Sequence, residues 1–393
     1  MGNNCQCLQS DAQTEMDLSQ HFFNRLKNKN NIDSQLKVIE VSQTTEADTE
    51  TEESKTIQPE LDYRLVLFKL EKENELSIKT LMNHEHSPLR KGRGKVIMEQ
   101  LLASGEFCLK TLKKLREDNN IRKNEYEIRF QQFDYLGPFE LENKQIYYGQ
   151  FNNGNKEGFG YQIWPDESIY EGYWLQNKTH FYGRMIYTDG DYYEGEWVAD
   201  LMDGKGVFVS HTGFTYIGEF RENEPEGYGE ERWLNGSYYK GIFAKGIKNG
   251  QGEFCFSNKI IYKGKFENNM FNGIGKLTFP NGNYYKGNWV DNKIEGKGVF
   301  KWNGLAKYVG EFKDNKKHGK GELKLANGKK IEGVWVDSKL KNKFTLTINK
   351  SVFYMKLNEK GDFPFSDVLT KEDISAIKKC EQHTMDDQFY TTN

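Results

Sequence analysis

The sequence predicts a mainly β protein: an elongated single-layer antiparallel β solenoid of 23-residue hairpins, with short helical and disordered N-terminal segments and a small C-terminal cap. Three observations predict this fold class. One tyrosine position recurs every 23 residues, glycine is frequent (38 of 393 residues) while proline is rare (7), and aromatic residues make up 14% of the chain. Such a composition is typical of many short strands joined by tight turns.

The repeat has three positions that recur in phase. A tyrosine comes first, a glycine stands two residues later, and phenylalanine or tryptophan follows after two more. These ladder positions include Tyr170, Gly172, Trp174, Tyr193, Gly195, Trp197, Tyr262, Gly264, Phe266, Tyr285, Gly287 and Trp289. Alternate residues of a strand share one face. We therefore expect the rings to line one side of a sheet, where each glycine leaves room for them to fold over the backbone.

A second glycine pair, such as Gly296 and Gly298, marks a return strand in most units. A polar segment of about six residues, such as 152–157, is expected to join the two strands into a hairpin. Asp-Gly or Asn-Gly steps supply the positive φ that turns the chain into the next unit. One hairpin is marginal in water, so the hairpins must stack; about 16 to 18 strands give a rod on the order of 80 Å long.

This unit resembles the MORN repeat (membrane occupation and recognition nexus), as found in MORN-only proteins, over about residues 146–340. The departures from the pattern are Phe181, Ser210, Lys259 and Ile331, with Asn342 and Phe344 in place of the ninth glycine pair. The resemblance implies a scaffold at the cell cortex or a cilium that docks protein partners or self-associates. Two alternatives stay open: a phospholipid-binding regulatory module for a separate lipid kinase or trafficking enzyme, and an axonemal part similar to radial-spoke head proteins.

Composition divides the chain into four predicted regions. They are a disordered acylation and spacer segment (1–59), a helical, basic region (60–136), the repeat domain of eight full units and a partial ninth (137–340), and a C-terminal cap and tail (341–393). In the last region, Thr370 and Asp373 resemble a capping box that starts a short closing helix.

The chain begins with a pattern that is typical of lipid-anchored proteins. Gly2 follows Met1 and is a candidate for N-myristoylation, although Gln6 stands where serine or threonine is usual. Cys5 and Cys7 are candidates for palmitoylation, and two acyl chains hold a protein at a membrane stably where one does not. The pattern predicts the cytoplasmic side of a membrane. The alternatives are a disordered start with unmodified thiols and a weak Cys-x-Cys metal site.

Residues 104–118 are basic and carry apolar residues at near-helical spacing. Lys110, Lys113 and Lys114 make this stretch a candidate contact for a lipid surface or an acidic partner. The alternative is a helix that packs on the first repeat and covers the edge of the sheet.

Charge is polarised along the repeats although the net charge of the chain is only −3. Residues 161–236 hold 15 acidic and 5 basic residues, whereas residues 237–330 hold 7 acidic and 19 basic ones. Lys240, Lys263 and Lys286 occupy one recurrent position of the basic half and are candidate contacts for anionic lipid or an acidic protein. Solvated faces without a partner and head-to-tail pairing of rods are the alternatives.

Several function classes are excluded by the pattern. No apolar run approaches the roughly 20 residues of a membrane span, no secretory h-region follows Met1, and the charge balance does not indicate a nucleic-acid partner. Gly-x-Gly strings are followed by strands and not by the helix that a phosphate loop requires. The seven histidines form no HExxH pattern. We therefore predict no catalytic site, no cofactor and no metal.

Overall fold

The computed structural model describes residues 23–24, 126, 128–141, 144–166, 168–363 and 368–382. They fall into two units, one that ends at Leu234 and one that begins at Asn235. In both units each strand pairs antiparallel with the next one along the chain, in a single layer of hairpins. This confirms the predicted mainly β, single-layer antiparallel fold of hairpin repeats.

The described residues of the N-terminal unit form nine strands, preceded by helical residues 128–130. The strands are β1 (Tyr135–Glu140), β2 (Ile146–Asn152), β3 (Asn155–Ile163), β4 (Ile169–Leu175), β5 (Lys178–Ile186), β6 (Tyr192–Val198), β7 (Leu201–Val209), β8 (Thr215–Arg221) and β9 (Glu224–Arg232). β1 pairs along the edge of β2, so the first repeat does not present a bare edge there.

The C-terminal unit contains eleven strands and one described helix. The strands are β10 (Tyr238–Ala244), β11 (Ile247–Cys255), β12 (Ile261–Glu267), β13 (Met270–Thr278), β14 (Tyr284–Val290), β15 (Lys293–Trp302), β16 (Ala306–Lys313), β17 (Lys316–Leu325), β18 (Lys330–Val336), β19 (Lys339–Ile348) and β20 (Ser351–Lys356). Helix α1 (Lys371–Gln382) follows the last strand. Within the described ranges, no helix is long and apolar enough to cross a membrane.

The turn inside each hairpin is shorter than the sequence predicted. Strands β2 and β3 are separated by only Asn153 and Gly154, so the expected six-residue polar segment is wrong. Both turn residues have positive φ, 49° and 79°, which is the backbone of a type I′ turn. The strands extend further than expected because this turn has the same twist as the sheet.

In most turns the second residue also bonds to an earlier hairpin; Gly154 and Gly246, which lack the side chain for this bond, are exceptions. Asn292 is an example: its backbone N–H donates to the Phe271 carbonyl at 3.0 Å, and its side-chain oxygen accepts the Phe271 N–H at 2.7 Å. The same side-chain bond is made by Asn177, Asp200, Asn223, Asn269, Asn315 and Ser338. Turn chemistry therefore links successive repeats as well as closing each hairpin.

Two departures from the repeat have structural reasons. Phe181 replaces the first glycine of a pair and still has a φ of 61°; its ring packs on Tyr126, which offsets the cost of that backbone. Phe344 replaces the second glycine of the ninth pair and faces Gly333. A side chain fits there because Ile331 has no ring to lie over that position.

Candidate functional site

The ladder face is the side of the sheet that carries the tyrosine, glycine and ring positions of the repeat, and its aromatic rings pack against one another. The eight repeat tyrosines have no exposed surface: Tyr147, Tyr170, Tyr193, Tyr216, Tyr239, Tyr262, Tyr285 and Tyr308. Tyr262, for example, lies edge-to-face between Phe266 of its own repeat and Trp289 of the next, with ring centroids 5.2 and 5.4 Å apart. Such pairs contribute about 0.5–1.5 kcal/mol each beyond the buried area. This face is the stability element of the protein.

Glycines make the ring stack possible. Gly264 and Gly275 face each other on β12 and β13, and a Cβ on Gly264 would lie 2.6 Å from both the Gly275 Cα and the Tyr262 hydroxyl oxygen. The glycines therefore hold two strands and one ring in a space that admits no side chain, as the sequence predicted for the ladder.

Burial changes the acidity of the ladder tyrosines. Desolvation raises the pKa of Tyr170, Tyr193, Tyr262 and Tyr285 above the usual value. Buried phenols that resist ionisation are structural groups at neutral pH.

The open face is the side of the sheet opposite the ladder, and around β2–β4 it carries an apolar cluster. Tyr148, Phe159 and Tyr161 form a cluster there with Ile163 and Ile169. Because the strand alternates, these residues point away from the tyrosine ladder.

A helical part of the chain covers the next strands on the same open face. Tyr126 lies against Tyr173 and Phe181 with ring centroids 5.1 and 4.7 Å apart. Phe130, which is 2% exposed, contacts the same two rings. The Gln150 amide donates to the Phe130 carbonyl at 2.9 Å. The open face thus already holds one helical segment.

In the C-terminal unit the open face carries the lysines predicted as partner contacts. Lys240 lies over the Tyr238 ring at 5.1 Å. The Lys263 ammonium is 2.7 Å from the Glu253 carboxylate, and Lys286 is exposed. Strand pairing places these three lysines in one line across the strands, with Glu253 and Lys276 between them.

Sequence reasoning missed a second set of lysines on this face. Lys301, Lys307, Lys324 and Lys330, which we call the lysine row, lie directly opposite one another on β15–β18. The first three are exposed. Only Lys330 has a carboxylate partner among the described residues, Glu322 at 3.1 Å. In the sequence, Lys301 stands two residues after Val299 on β15, and Lys324 stands two residues after Glu322 on β17. Only the pairing of the strands shows that these lysines lie beside Lys307 and Lys330.

Helix α1 packs on the last repeats through a buried lysine. Lys317 is 4% exposed, and its ammonium lies 4.9 Å from the Trp302 ring centroid and 5.4 Å from that of Trp335. It donates to the backbone carbonyl of Cys380 in α1. Burial lowers the pKa of the Lys317 ammonium to about 8, because a desolvated charge is disfavoured. The predicted capping box is also formed: the Asp373 N–H donates to the Thr370 hydroxyl at 3.3 Å.

One cluster has ligand-type atoms close together. Asp189, Asp191 and His211 place a carboxylate or imidazole atom within 4.8 Å of each other. Asp191 is 3% exposed on its side chain and lies 2.8 Å from His211 Nδ1, and it also accepts the His211 backbone N–H at 2.9 Å. These bonds join the turns of neighbouring repeats, so the cluster has a structural role.

The remaining predicted site residues lie outside the described residues. They are the acylation candidates Gly2, Cys5 and Cys7 and the basic residues Lys110, Lys113 and Lys114.

The geometry defines a class: a single-layer β-hairpin repeat protein with a buried ladder of tyrosines on one face of the sheet and, in its C-terminal unit, a row of exposed lysines on the other. The MORN repeat family matches eight consecutive blocks, and the chain is a MORN-repeat protein. The matched residues are 147–169, 170–192, 193–215, 216–238, 239–259, 262–284, 285–304 and 308–330. The MORN repeat is a non-catalytic module that serves as a scaffold or interaction surface.

Comparison with solved structures finds weak likeness. The TCP10 domain of Danio rerio CPAP, solved with a STIL peptide, has a TM-score of 0.31 and 12% identity, covering 54% of this chain and 99% of that one. A CPAP G-box domain has a TM-score of 0.31 and 10% identity, covering 50% and 98%. The SAS-4 TCP domain of Drosophila melanogaster, solved with a proline-rich motif of Ana2, has a TM-score of 0.27 and 15% identity, covering 40% and 87%. No curated protein matches the chain.

Proposed function

We propose that the protein is a non-enzymatic MORN-repeat scaffold, tethered to the cytosolic face of a membrane by N-terminal acylation, which docks protein partners on its repeats. The observation that carries the docking part is the open face of the C-terminal unit. Its charged side chains, such as Lys286, Lys307 and Lys324, are exposed on consecutive repeats, while the repeat tyrosines of the ladder face are buried. An exposed, regularly spaced surface is what repeat proteins use to bind partners.

The tether rests on the residues at the start of the chain. Gly2 offers a myristoylation site, and Cys5 and Cys7 offer the second lipid that stable anchoring requires. We place the protein at the cytosolic face of a membrane or the cell cortex, including the membrane of a cilium.

A second candidate function is a phospholipid-binding regulatory module. The lysine row favours it, because clustered lysines attract anionic headgroups. In that case the repeats themselves would bind the membrane, and removal of the acyl chains would leave salt-sensitive membrane binding in place.

Membrane fractionation with intact-mass measurement tests the tether. The wild type is expected to pellet with membranes and to carry the mass of a myristoyl and at least one palmitoyl group. Gly2→Ala should be released, while Asn3→Ala, the matched control next to the acceptor, should pellet like the wild type. Unchanged pelleting of Gly2→Ala, or an unmodified mass, would contradict the anchor. Loss of the remaining binding of Gly2→Ala at high salt would favour the phospholipid module.

A further inference from the structure

The open face binds a helix within this protein. Tyr126 and Phe130 are four residues apart, and Tyr126 and residues 128–130 are helical, so the two rings project from one side of a helix. Both rings lie on Tyr173 and Phe181. The shape of this face therefore accommodates a helix with two anchors one turn apart.

On the open face of β15–β18 the positions equivalent to Tyr173 and Phe181 are Glu311 and Gly319. The strand segments beside them are basic and are covered by none of the described residues. Lys301 lies opposite Lys307, Lys307 opposite Lys324, and Lys324 opposite Lys330. Like charges directly opposite one another destabilise a sheet. Only Lys330 has an acidic neighbour within ion-pair distance among the residues that the structure describes. The row thus carries positive charge that folding alone does not use.

A small apolar area lies beside the lysine row. Val299 and Val309 face each other on β15 and β16, and each is two residues from a lysine of the row. Val309 is 41% exposed. Since the residues of one strand face repeat about every 6.6–6.8 Å, the valine pair runs parallel to the first half of the lysine row at that distance. On β17 and β18 the same register continues with Glu322 and Glu332.

We propose that the lysine row and the valine pair bind an amphipathic helix of a partner protein, with acidic residues along one stripe and apolar residues along the adjacent stripe. This surface rests on the proposed scaffold function and names its partner class. The acidic stripe lies on Lys301, Lys307, Lys324 and Lys330, and the apolar stripe lies on Val299 and Val309.

The spacing selects a helix over an extended peptide. Four strands place the lysines at intervals of about 4.8 Å, so the row spans about 14 Å. Helical carboxylates at i, i+3, i+7 and i+10 rise by about 4.5, 10.5 and 15 Å from the first and stay in step with all four lysines. In an extended chain, alternate carboxylates are about 6.7 Å apart and fall out of step after one pair.

Peptide binding to the full chain tests this surface. The probe is a synthetic helical peptide of about 18 residues with glutamates at i, i+3, i+7 and i+10, leucines at i+1 and i+4 over the valine pair, and glutamines at i+8 and i+11 over Glu322 and Glu332. The control peptide has the same composition with its glutamates distributed around the helix. We expect the probe to bind at least about tenfold more tightly than the control peptide, with an affinity that falls as salt is added.

Reversing the charge of two lysines tests whether the lysine row contacts the probe. Lys307→Glu with Lys324→Glu should weaken probe binding at least about tenfold. The matched control, Lys313→Glu with Lys316→Glu, reverses two exposed lysines at the turn end of the same strands and should change it less than about twofold. A probe with lysines at i+3 and i+7 should regain binding to the first variant. Thermal melting of both variants checks that they fold.

Three outcomes would overturn the proposal. The first is that both peptides bind equally well, and the second is that both double variants weaken probe binding equally. The third is that the first double variant loses binding to phosphatidylserine vesicles while the protein shows no preference between the peptides, which would assign the lysine row to lipid binding. Tethering is read separately. If the protein does not distinguish the two peptides but Gly2→Ala is still released from membranes, only the proposed helix-binding surface is rejected. If the protein prefers the probe peptide but Gly2→Ala still pellets with membranes, only the proposed tether is rejected.

Discussion

The hydroxyl of Tyr262 donates a hydrogen bond to the backbone carbonyl of Lys265, three residues along the same strand, at 2.9 Å. Lys265 stands where the pairing of β12 with β13 shifts register. The same bond, 2.9–3.2 Å long, is made by Tyr147, Tyr170, Tyr193, Tyr216, Tyr239, Tyr285 and Tyr308. Each ring is therefore held flat over its glycine pair by its own strand.

Removing one of these hydroxyls should cost measurable stability. Tyr262→Phe keeps the ring and leaves the Lys265 carbonyl without this donor, so we expect a loss of about 1–2 kcal/mol in the free energy of unfolding. Urea denaturation with circular dichroism measures it. Tyr354→Phe, at a side chain that is 87% exposed, is the control and should change stability by less than about 0.5 kcal/mol. Equal stability of both variants would show that the bond contributes nothing.

A side chain on a paired glycine should disrupt the ladder. Gly264→Val would place a Cβ 2.6 Å from the Gly275 Cα, so the strand must move away from its partner, at a cost of about 3 kcal/mol or more. Gly328→Asn is the control, since no atom lies within 4 Å of its Cβ position and asparagine tolerates positive φ. Thermal melting compares the two. A Gly264→Val variant that melts like the wild type would refute the packing.

The buried Lys317 should make stability rise with pH. Its pKa is about 8 in the folded protein against 10.5 for an ordinary lysine. The unfolded chain therefore binds more protons between these values, and folding becomes more favourable as pH rises through that window. Relative to Lys317→Met, we expect the wild type to gain about 2–3 kcal/mol from pH 8 to pH 10.5. Chemical denaturation across that range measures the difference. Parallel curves for wild type and variant would contradict it, and exposed Lys316→Met should leave the wild-type slope unchanged.

The ladder tyrosines should set an alkaline limit. Desolvation raises the pKa of Tyr170 and Tyr193 in the folded state, whereas in the unfolded chain tyrosine ionises near pH 10. The stability from these groups is fully present below about pH 10 and is lost as pH rises further. The tyrosinate absorbance of the ladder tyrosines should thus rise in one cooperative step with loss of β-sheet circular dichroism, separate from that of exposed tyrosines such as Tyr354. Ionisation of all tyrosines near pH 10 with the sheet intact would be inconsistent with the buried ladder.

The periodic part of the fold can be predicted from sequence because one physical rule repeats. Tyrosine, glycine and a large ring at alternate positions, as in Tyr285, Gly287 and Trp289, must share a strand face, and stacking is the only way to bury them. The turn inside the hairpin could also have been found. Asn177, Asn223, Asn269, Asn292 and Asn315 keep the same period, and asparagine is favoured at positive φ.

Contacts outside the period leave no such signal. Lys317 contacts the Cys380 carbonyl from 63 residues away, and in the sequence Lys317 cannot be told from exposed lysines such as Lys316. The lysine row was missed for a related reason: Lys301 and Lys307 belong to different phases of the repeat. They become neighbours only when antiparallel pairing reverses one strand against the next.

The clamp that Asn292 makes to Phe271 constrains how this gene can change over evolution. An insertion or deletion of one codon inside a hairpin would shift the clamps, rings and glycines on one side of it relative to their partners on the other side. Duplication or loss of a whole 23-codon block leaves all of them matched. Descendants of this sequence should therefore differ in length by complete blocks, with smaller differences confined to the segments that flank them.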